Sequence, residues 1–445
     1  ATPGTGGQPI STDWQKIMDL TTFYAGYPDD ICYGEWRSFL VKIIGSAKLS
    51  PAAAVNSEVL AKISQNLGEL RPPKVLSDVL IGENIPGQSK TEVLAGTKAF
   101  RLFGQRFTFD GWILGRLSAG EEKTAVRLPS TPSALFIPAA MGDSLAREFA
   151  NNFLKQGTQP FSETEVAQFN TQLDAVAGDL KKVTDAEWYR SVGSVWLKLL
   201  GTLPGPFGSG YPKYMQGKFF PVKQLQTFLG SYTELKHDTL LYAKQSFAEM
   251  GDGEEEKLPP VPKGFVEPNL AFWQELQRLV AYTTAGFKKF GIFKGETEED
   301  GRLTLLQQRV DFYTAVAAKE LQGMPLTEAD YENLRKGRLS MLARPFVEGV
   351  VLEEKDKRAG LIADVHTDAL TGQILYEATG EPYFMLALVG NEGQSRLVVG
   401  VAFNHYEFTG PLSRRYTDAD WQARIYHSPP RMPRKNFWYQ GLMVD

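Results

Sequence analysis

The segment 232–246 holds the densest group of side chains that could carry out acid–base chemistry. Glu234 and Asp238 are four residues apart, which places both carboxylates on one side of a helix, while His237 and Lys244 fall on the neighbouring side. Burial and mutual charge can shift the pKa values of such groups until one acts as an acid and another as a base. The pattern therefore predicts a catalytic site at these four residues.

A structural interpretation accounts for the same group. The two carboxylates would pair with arginines of neighbouring helices, and His237 would form a hydrogen bond where two helices meet, because ion-pair networks also concentrate ionisable groups. We favour this interpretation, in which the group locks neighbouring helices together.

A second candidate site lies in a predicted strand. Alternation along the strand places Asp364, His366 and Asp368 on one face, and oxygen ligands with one imidazole favour calcium or manganese over zinc. The triad therefore predicts a divalent cation such as calcium, and no other cofactor is evident. The favoured alternative is that Asp368 caps a hairpin turn beside a surface histidine.

The C-terminal end combines aromatic and basic side chains that can stack on sugars or anchor a protein interface. This predicts a homo-oligomer contact, a contact with another cell-surface protein, or polysaccharide binding. The alternative is a strap that packs back onto the helical domain. The residues of this C-terminal tail are Arg414, Arg415, Trp421, Arg424, Arg431, Arg434, Lys435, Phe437, Trp438 and Tyr439.

Composition excludes several classes of protein. The chain has 445 residues, with 48 Lys and Arg against 52 Asp and Glu and a net charge of −4, which argues against a nucleic-acid partner. No apolar stretch approaches the roughly 20 residues that span a bilayer. Cys32 is the only cysteine and cannot form an internal disulfide. The nucleophile-elbow, zinc-protease and phosphate-loop motifs are absent from the sequence.

Helical patterns fill the first two-thirds of the chain, and short β patterns follow. The longest amphipathic helix is predicted over 222–250, and one helix is predicted from Thr184 to Gly201. Four capping boxes predict helix starts at Ser162, Thr184, Thr327 and Thr417. Further helices are predicted at 268–290 and 302–321, and strands at 360–367, 373–378, 383–389 and 396–408.

These elements predict an α+β fold. A flexible, processed N-terminus over 1–11 precedes a large α-helical domain over 12–350, in which antiparallel helical hairpins form an array or toroid. An acidic, proline-rich loop interrupts this domain at 251–264. Residues 351–445 form a small antiparallel β unit with a C-terminal helix and the tail, and this unit should pack on the helices.

Short motifs occur in order along most of the chain. They are YPDD (27–30), FGQRF (103–107), MGDS (141–144), GYP (210–212) with MQ (215–216), YTELKHD (232–238), LYAKQS (241–246), PKGFVEP (262–268), IADVHTD (362–368) and YEF (406–408). Together they resemble the bacterial and archaeal family called domain of unknown function 3160. The resemblance implies an exported or lipid-anchored protein that has been trimmed at its N-terminus or is a fragment of a longer chain, and it implies no reaction.

Two functions of different class follow from these observations. The first is an exported or cell-surface structural or binding protein without catalytic activity, able to self-assemble. The alternative is an extracytoplasmic hydrolase or lyase that acts on polysaccharide or peptide through Glu234, His237 and Asp238. The absence of a strong catalytic motif favours the first.

Overall fold

Among the residues that the computed structural model describes there are 14 α-helices and one three-stranded antiparallel sheet, which confirms the predicted α+β class. The described residues are 9–45, 56–75, 98, 100–118, 126–156, 159–239, 263–292, 298–336, 358–368, 371–390, 395–427 and 433. The helices are α1 (Ile10–Tyr24), α2 (Tyr33–Ile44), α3 (Ser57–Asn66), α4 (Phe109–Leu117), α5 (Phe136–Ala140), α6 (Ser144–Gln156), α7 (Glu163–Leu180), α8 (Asp185–Trp188), α9 (Val192–Leu200), α10 (Phe219–Thr239), α11 (Leu270–Lys289), α12 (Glu298–Leu321), α13 (Glu328–Lys336) and α14 (Asp418–Ile425).

All four predicted capping boxes are present. At Ser162, Thr184, Thr327 and Thr417 the hydroxyl accepts a hydrogen bond from the backbone N–H three residues on, and the acid at that position accepts one in return. These boxes satisfy N–H groups that a helix start leaves without a partner, so they fix where each helix begins.

The helix predicted from Thr184 to Gly201 is divided into α8 and α9. The Ser191 hydroxyl accepts a hydrogen bond from the Ser194 N–H at 3.1 Å and caps a new helix start. Tyr189 and Arg190 therefore lie in the short joint between the two helices instead of on a helix face. The prediction of one continuous helix was wrong because the local cap interrupts it.

The sheet has the order β1–β2–β3, with β1 (Ile362–Asp368), β2 (Gln373–Val389) and β3 (Arg396–Pro411). The strands predicted at 373–378 and 383–389 form the single strand β2. Its pairing with β3 shifts register between Gly380 and Tyr383. This irregularity accommodates Pro382, whose ring nitrogen cannot donate a ladder hydrogen bond, without ending the strand.

Helix α10 joins the helical part of the chain to the sheet. One side of α10 contributes Phe228, Leu229 and Tyr232 to the main core, and the helix also contacts all three strands. Gly230 permits the close approach of β3, because a Cβ atom there would lie 2.5 Å from Cγ of Phe403. The β unit therefore packs on the helices, as expected of a sheet too small to be stable alone.

Several predicted features lie outside the described residues. These include the chain from 240 to 262, which holds Lys244 and most of the predicted loop at 251–264, and the predicted domain boundary at 350. Within the part of the chain that the structure describes, no helix is both long enough and apolar enough to cross a membrane.

Candidate functional site

His237 lies near the described end of α10 and joins three elements. Its Nε2 lies 3.0 Å from Oδ2 of Asp418, the first residue of α14, and its Nδ1 lies 3.2 Å from Oδ1 of Asp238. The other carboxylate oxygen of Asp418 accepts a hydrogen bond from the Ile362 N–H of β1 at 3.1 Å. The imidazole therefore forms a joint between α10, α14 and β1, which we call the His237 joint.

The charges around His237 hold it in its protonated form. Hydrogen bonds to Asp238 and Asp418 raise the pKa of His237 from 6.5 to about 9, although burial opposes this. Burial and the charge of Asp238 raise the pKa of Glu234 to about 7. At neutral pH the imidazole is thus a cation with both nitrogens engaged, and a cation of this kind cannot accept a proton as a general base.

Among the described residues, neither Glu234 nor Asp238 forms the predicted ion pair with an arginine. Asp238 contacts His237, and no hydrogen bond from a described residue reaches the Glu234 carboxylate. The structure brings Glu234, His237 and Asp238 together, whereas Lys244 lies outside the described residues. Their catalytic role stays a prediction from the sequence.

Lys236, next to His237, forms a second link from α10, directed at α4. Its Nζ lies 2.9 Å from Oδ2 of Asp110, and the Tyr232 hydroxyl donates to the same oxygen at 2.9 Å. Burial alone would raise the pKa of Asp110, but the Lys236 charge and these hydrogen bonds hold it below its ordinary value. Asp110 is therefore a buried carboxylate stabilised by one cation.

The triad predicted to bind a cation is divided between the two faces of the sheet. Asp364 pairs with Tyr376, whereas His366 pairs with Leu375, so the register shifts between them. Because Leu375 and Tyr376 point to opposite faces, Asp364 and His366 do so too. The assumption of simple alternation was wrong at this bulge.

The individual contacts in this strand agree with a structural role. Asp364 forms an ion pair with Arg415, and burial raises its pKa. Asp368 accepts hydrogen bonds from the Thr371 hydroxyl at 2.6 Å and from the Thr371 N–H at 3.1 Å, so it caps the hairpin turn. No group of three potential ligands able to hold a metal occurs within the described ranges. A cation such as calcium remains a prediction from the sequence alone.

The described part of the C-terminal tail packs on the sheet. Trp421 is fully buried, and its Nε1 donates to the Thr379 carbonyl at 2.7 Å. Its ring stacks on Phe408, and Arg424 lies over the same Phe408 ring. Trp421 is thus unavailable to an external ligand. The tail residues Arg431, Arg434, Lys435, Phe437, Trp438 and Tyr439 lie outside the described residues.

A second cluster of ionisable side chains lies beneath the sheet, where Glu377 and His405 are buried and Glu407 is half-buried. Glu377 and Glu407 are directly opposite each other on β2 and β3, and His405 Nε2 lies 2.5 Å from Glu377 Oε2. Burial raises the pKa of both glutamates, to about 8 for Glu407, and lowers that of His405 to about 4. Glu407 accepts hydrogen bonds from the Ser133 hydroxyl and the Ala134 N–H. This neutral cluster connects β3 to the start of α5.

An open cleft lies between α1, the α8–α9 joint and α11. Its volume is 520 Å³, within the usual range for ligand sites. Phe23 forms its floor, with its ring centre 5.4 Å from those of Tyr282 and Phe290. The remaining lining residues of this aromatic cleft include Asp19, Tyr189, Arg190 and Lys289.

A second cleft of 370 Å³ adjoins the first at Arg190, which lines both. The Arg190 guanidinium lies 4.1 Å from the centre of the Tyr27 ring. Lys74 and Arg71 line the second cleft, and Arg71 forms an ion pair with Glu35. We call this the basic cleft.

Comparison with known proteins identifies the family. The family described as Protein of unknown function (DUF3160) matches residues 5–438, nearly the whole chain. The chain belongs to the DUF3160 family. No curated protein and no solved structure matches it.

Three features of this DUF3160 chain were not predicted from its sequence. Asp418, the distant partner of His237, is 181 residues away along the chain. The two clefts depend on Tyr189 and Arg190, which the predicted continuous helix placed on a helix face. The cluster of Glu377, His405 and Glu407 has one signal in the sequence, because His405 and Glu407 occupy alternate positions of a predicted strand and so lie on one face.

Proposed function

We propose that this DUF3160 chain is a non-enzymatic, extracytoplasmic binding protein that holds an acidic polysaccharide along its two clefts. The observation that carries the proposal is that the aromatic cleft and the basic cleft share Arg190. Two adjoining clefts suit a polymer better than a single small molecule. The location outside the cytoplasm rests on the sequence resemblance.

The lining residues suit a ring-shaped, anionic ligand. Tyrosine rings such as Tyr282 offer apolar faces to the C–H groups of a sugar, with polar edges for its hydroxyls. Lys74, Arg190 and Lys289 provide positive charge, and Asp19 is the one carboxylate lining either cleft that has no arginine partner among the described residues. This local cationic excess on a chain of net charge −4 favours carboxylate-bearing sugars.

Binding without chemistry agrees with the ionisable groups near the clefts. Glycoside hydrolysis usually uses two facing carboxyl groups. Among described lining residues, Asp19 is the carboxylate of the aromatic cleft and Glu35 that of the basic cleft, where it is bound to Arg71. His237 is engaged with two aspartates and lines neither cleft.

Titration calorimetry with a hexamer of galacturonic acid tests the proposal. We expect wild-type protein to bind it, more weakly at high salt because charge attraction is screened. Tyr282→Ala should weaken binding about tenfold, equivalent to about 1.4 kcal/mol, through loss of a stacking face. Arg190→Ala should weaken binding and reduce its salt dependence.

Two controls separate this result from loss of folding. Tyr33→Ala removes an exposed tyrosine outside both clefts, and Arg414→Ala removes an exposed arginine of the C-terminal unit. Both should bind the hexamer like wild type. Absence of binding by wild-type protein, or binding insensitive to Tyr282 and Arg190, would refute the proposal.

The second candidate function is a hydrolase or lyase that uses Glu234, His237 and Asp238. The observation in its favour is the pKa of Glu234, which lies near 7 and suits an acid at neutral pH. New reducing ends or unsaturated products from polygalacturonate, lost in Glu234→Gln, would establish this function. Binding of polygalacturonate without formation of these products would support the non-enzymatic binding function.

A further inference from the structure

The outer halves of β2 and β3 form a two-stranded arm, and no described residue covers one of its faces, which is apolar. β1 pairs with β2 only as far as Ala378, so the arm continues beyond the third strand. Directly opposite pairs on the arm are Phe384 with Val401, Leu386 with Val399, and Leu388 with Leu397. These six side chains, which we call the apolar arm face, are exposed by 86%, 48%, 65%, 67%, 61% and 63% in that order.

The opposite face of the arm is fixed to the helical part of the chain. Ala387 and Val389, which alternate with the exposed leucines, are buried. The Arg396 guanidinium donates to the Gly264 carbonyl at 3.0 Å, ahead of α11. The arm is therefore held against the protein by one face, and the exposure of the other results from strand alternation.

The apolar arm face is larger than the exposed apolar patches that monomeric proteins usually have. Six large side chains exposed to this degree present about 700 Å² of apolar surface, above the range usual for the largest patch of a monomer. Because removal of apolar surface from water is favourable in proportion to its area, burial of this face against another surface is strongly favoured.

We propose that the apolar arm face binds the same face of a second copy of this chain. Two such faces would bury about 1,400 Å² in total, within the range of a stable interface. None of the six side chains is charged, so packing of the two faces brings no like charges into direct contact there. Two arms packed face to face form a small β-sandwich with its inner faces about 10 Å apart.

This surface differs from the C-terminal tail, which the sequence analysis assigned to self-association. It also differs from the clefts, because none of its residues lines either one. A dimer formed through the arms would leave the cleft residues accessible, so the two proposals can fail separately.

Sedimentation equilibrium of the full chain tests the proposal. Wild-type protein should form a dimer of 99 kDa, twice the 49.5 kDa of one chain. We expect the dimer dissociation constant to rise at least 100-fold in two double variants, Leu386→Glu/Val399→Glu and Leu386→Lys/Val399→Lys, since each places like charges in the interface. An equimolar mixture of these two variants should recover the 99 kDa species through opposite charges.

The recovery step keeps the test independent of folding, because a misfolded variant cannot be rescued by its partner. Leu60→Glu is the matched control at an exposed leucine outside the arm, and it should dimerise like wild type. A monomeric wild type would overturn the proposal, including one that binds phosphatidylcholine vesicles as a monomer. A dimer unaffected by both double substitutions, or a mixture that stays monomeric, would also overturn it.

Discussion

Replacing Asp110 with alanine should lower the free energy of unfolding by about 3–5 kcal/mol, because it leaves a largely buried Lys236 cation without its counter-charge. Lys236 is 15% exposed and Asp110 7% at the side-chain level, so water cannot replace the lost partner fully. The change also removes the acceptor of the Tyr232 hydroxyl, which is fully buried. Urea denaturation monitored by tryptophan fluorescence measures the effect.

A double-mutant cycle separates the ion pair from simple loss of packing. Lys236→Met with Asp110→Ala should be less destabilising than the sum of the two single changes, because neither then leaves a buried charge. Asp174→Ala is the surface control, since Asp174 pairs with Arg147 at 2.7 Å but is 62% exposed. It should cost at most about 1 kcal/mol. Equal losses at Asp110 and Asp174 would contradict the role assigned to this pair.

Replacing Asp418 with alanine should lower the free energy of unfolding by about 2–4 kcal/mol, the second-largest effect we expect. One carboxylate serves both the His237 imidazolium and the Ile362 N–H, so its loss leaves a cation and a backbone donor without that acceptor. The change should weaken the contact of the C-terminal unit with α10. Faster hydrogen exchange at β1 and α14, with α7 unchanged, would show this directly.

Asp420 supplies the control for Asp418. It lies two residues further along α14, completes the capping box of Thr417 and forms an exposed ion pair with Arg414 at 3.6 Å. Asp420→Ala should therefore cost about 1 kcal/mol or less, without effect on exchange in β1. If Asp418→Ala behaves like Asp420→Ala, the His237 joint does not hold the two parts together.

Features that depend on neighbouring residues could be predicted from the sequence. The capping boxes at Ser162 and Thr184 were predicted correctly because donor and acceptor are three residues apart. The same holds for Asp368, whose turn-capping contacts to Thr371 are local. The α+β class followed from the change of hydrophobic period along the chain.

Features that depend on tertiary packing could not be predicted in this way. The bulge at Val365 reverses the alternation of β1, and a strand pattern alone does not reveal the register of its partner. The charge state of His237 depends on Asp418, which only the fold brings close. Tyr189 and Arg190 fit a helical pattern until the Ser191 cap interrupts it.

The His237 joint makes stability depend on pH in a defined direction. The pKa of His237 is raised in the folded chain from 6.5 to about 9. The contribution of His237 to the free energy of unfolding is therefore complete below pH 6.5 and is lost as pH rises through 9. We expect this contribution to be about 2 kcal/mol, because the ring is partly solvated. Glu234 affects the free energy of unfolding at lower pH. Because its pKa is raised in the folded chain, stability falls as pH rises from the ordinary value of 4.5 to about 7.

His237 is, in our account, a joint between α10 and the C-terminal unit that stays charged through neutral pH, and a titration of its own NMR signals tests this most directly. Selective ¹⁵N-labelling leaves four histidines to observe, and His237→Gln assigns the signal. We predict that the ring of His237 stays protonated through neutral pH and titrates near pH 9. A pKa at or below 6.5 would contradict the account.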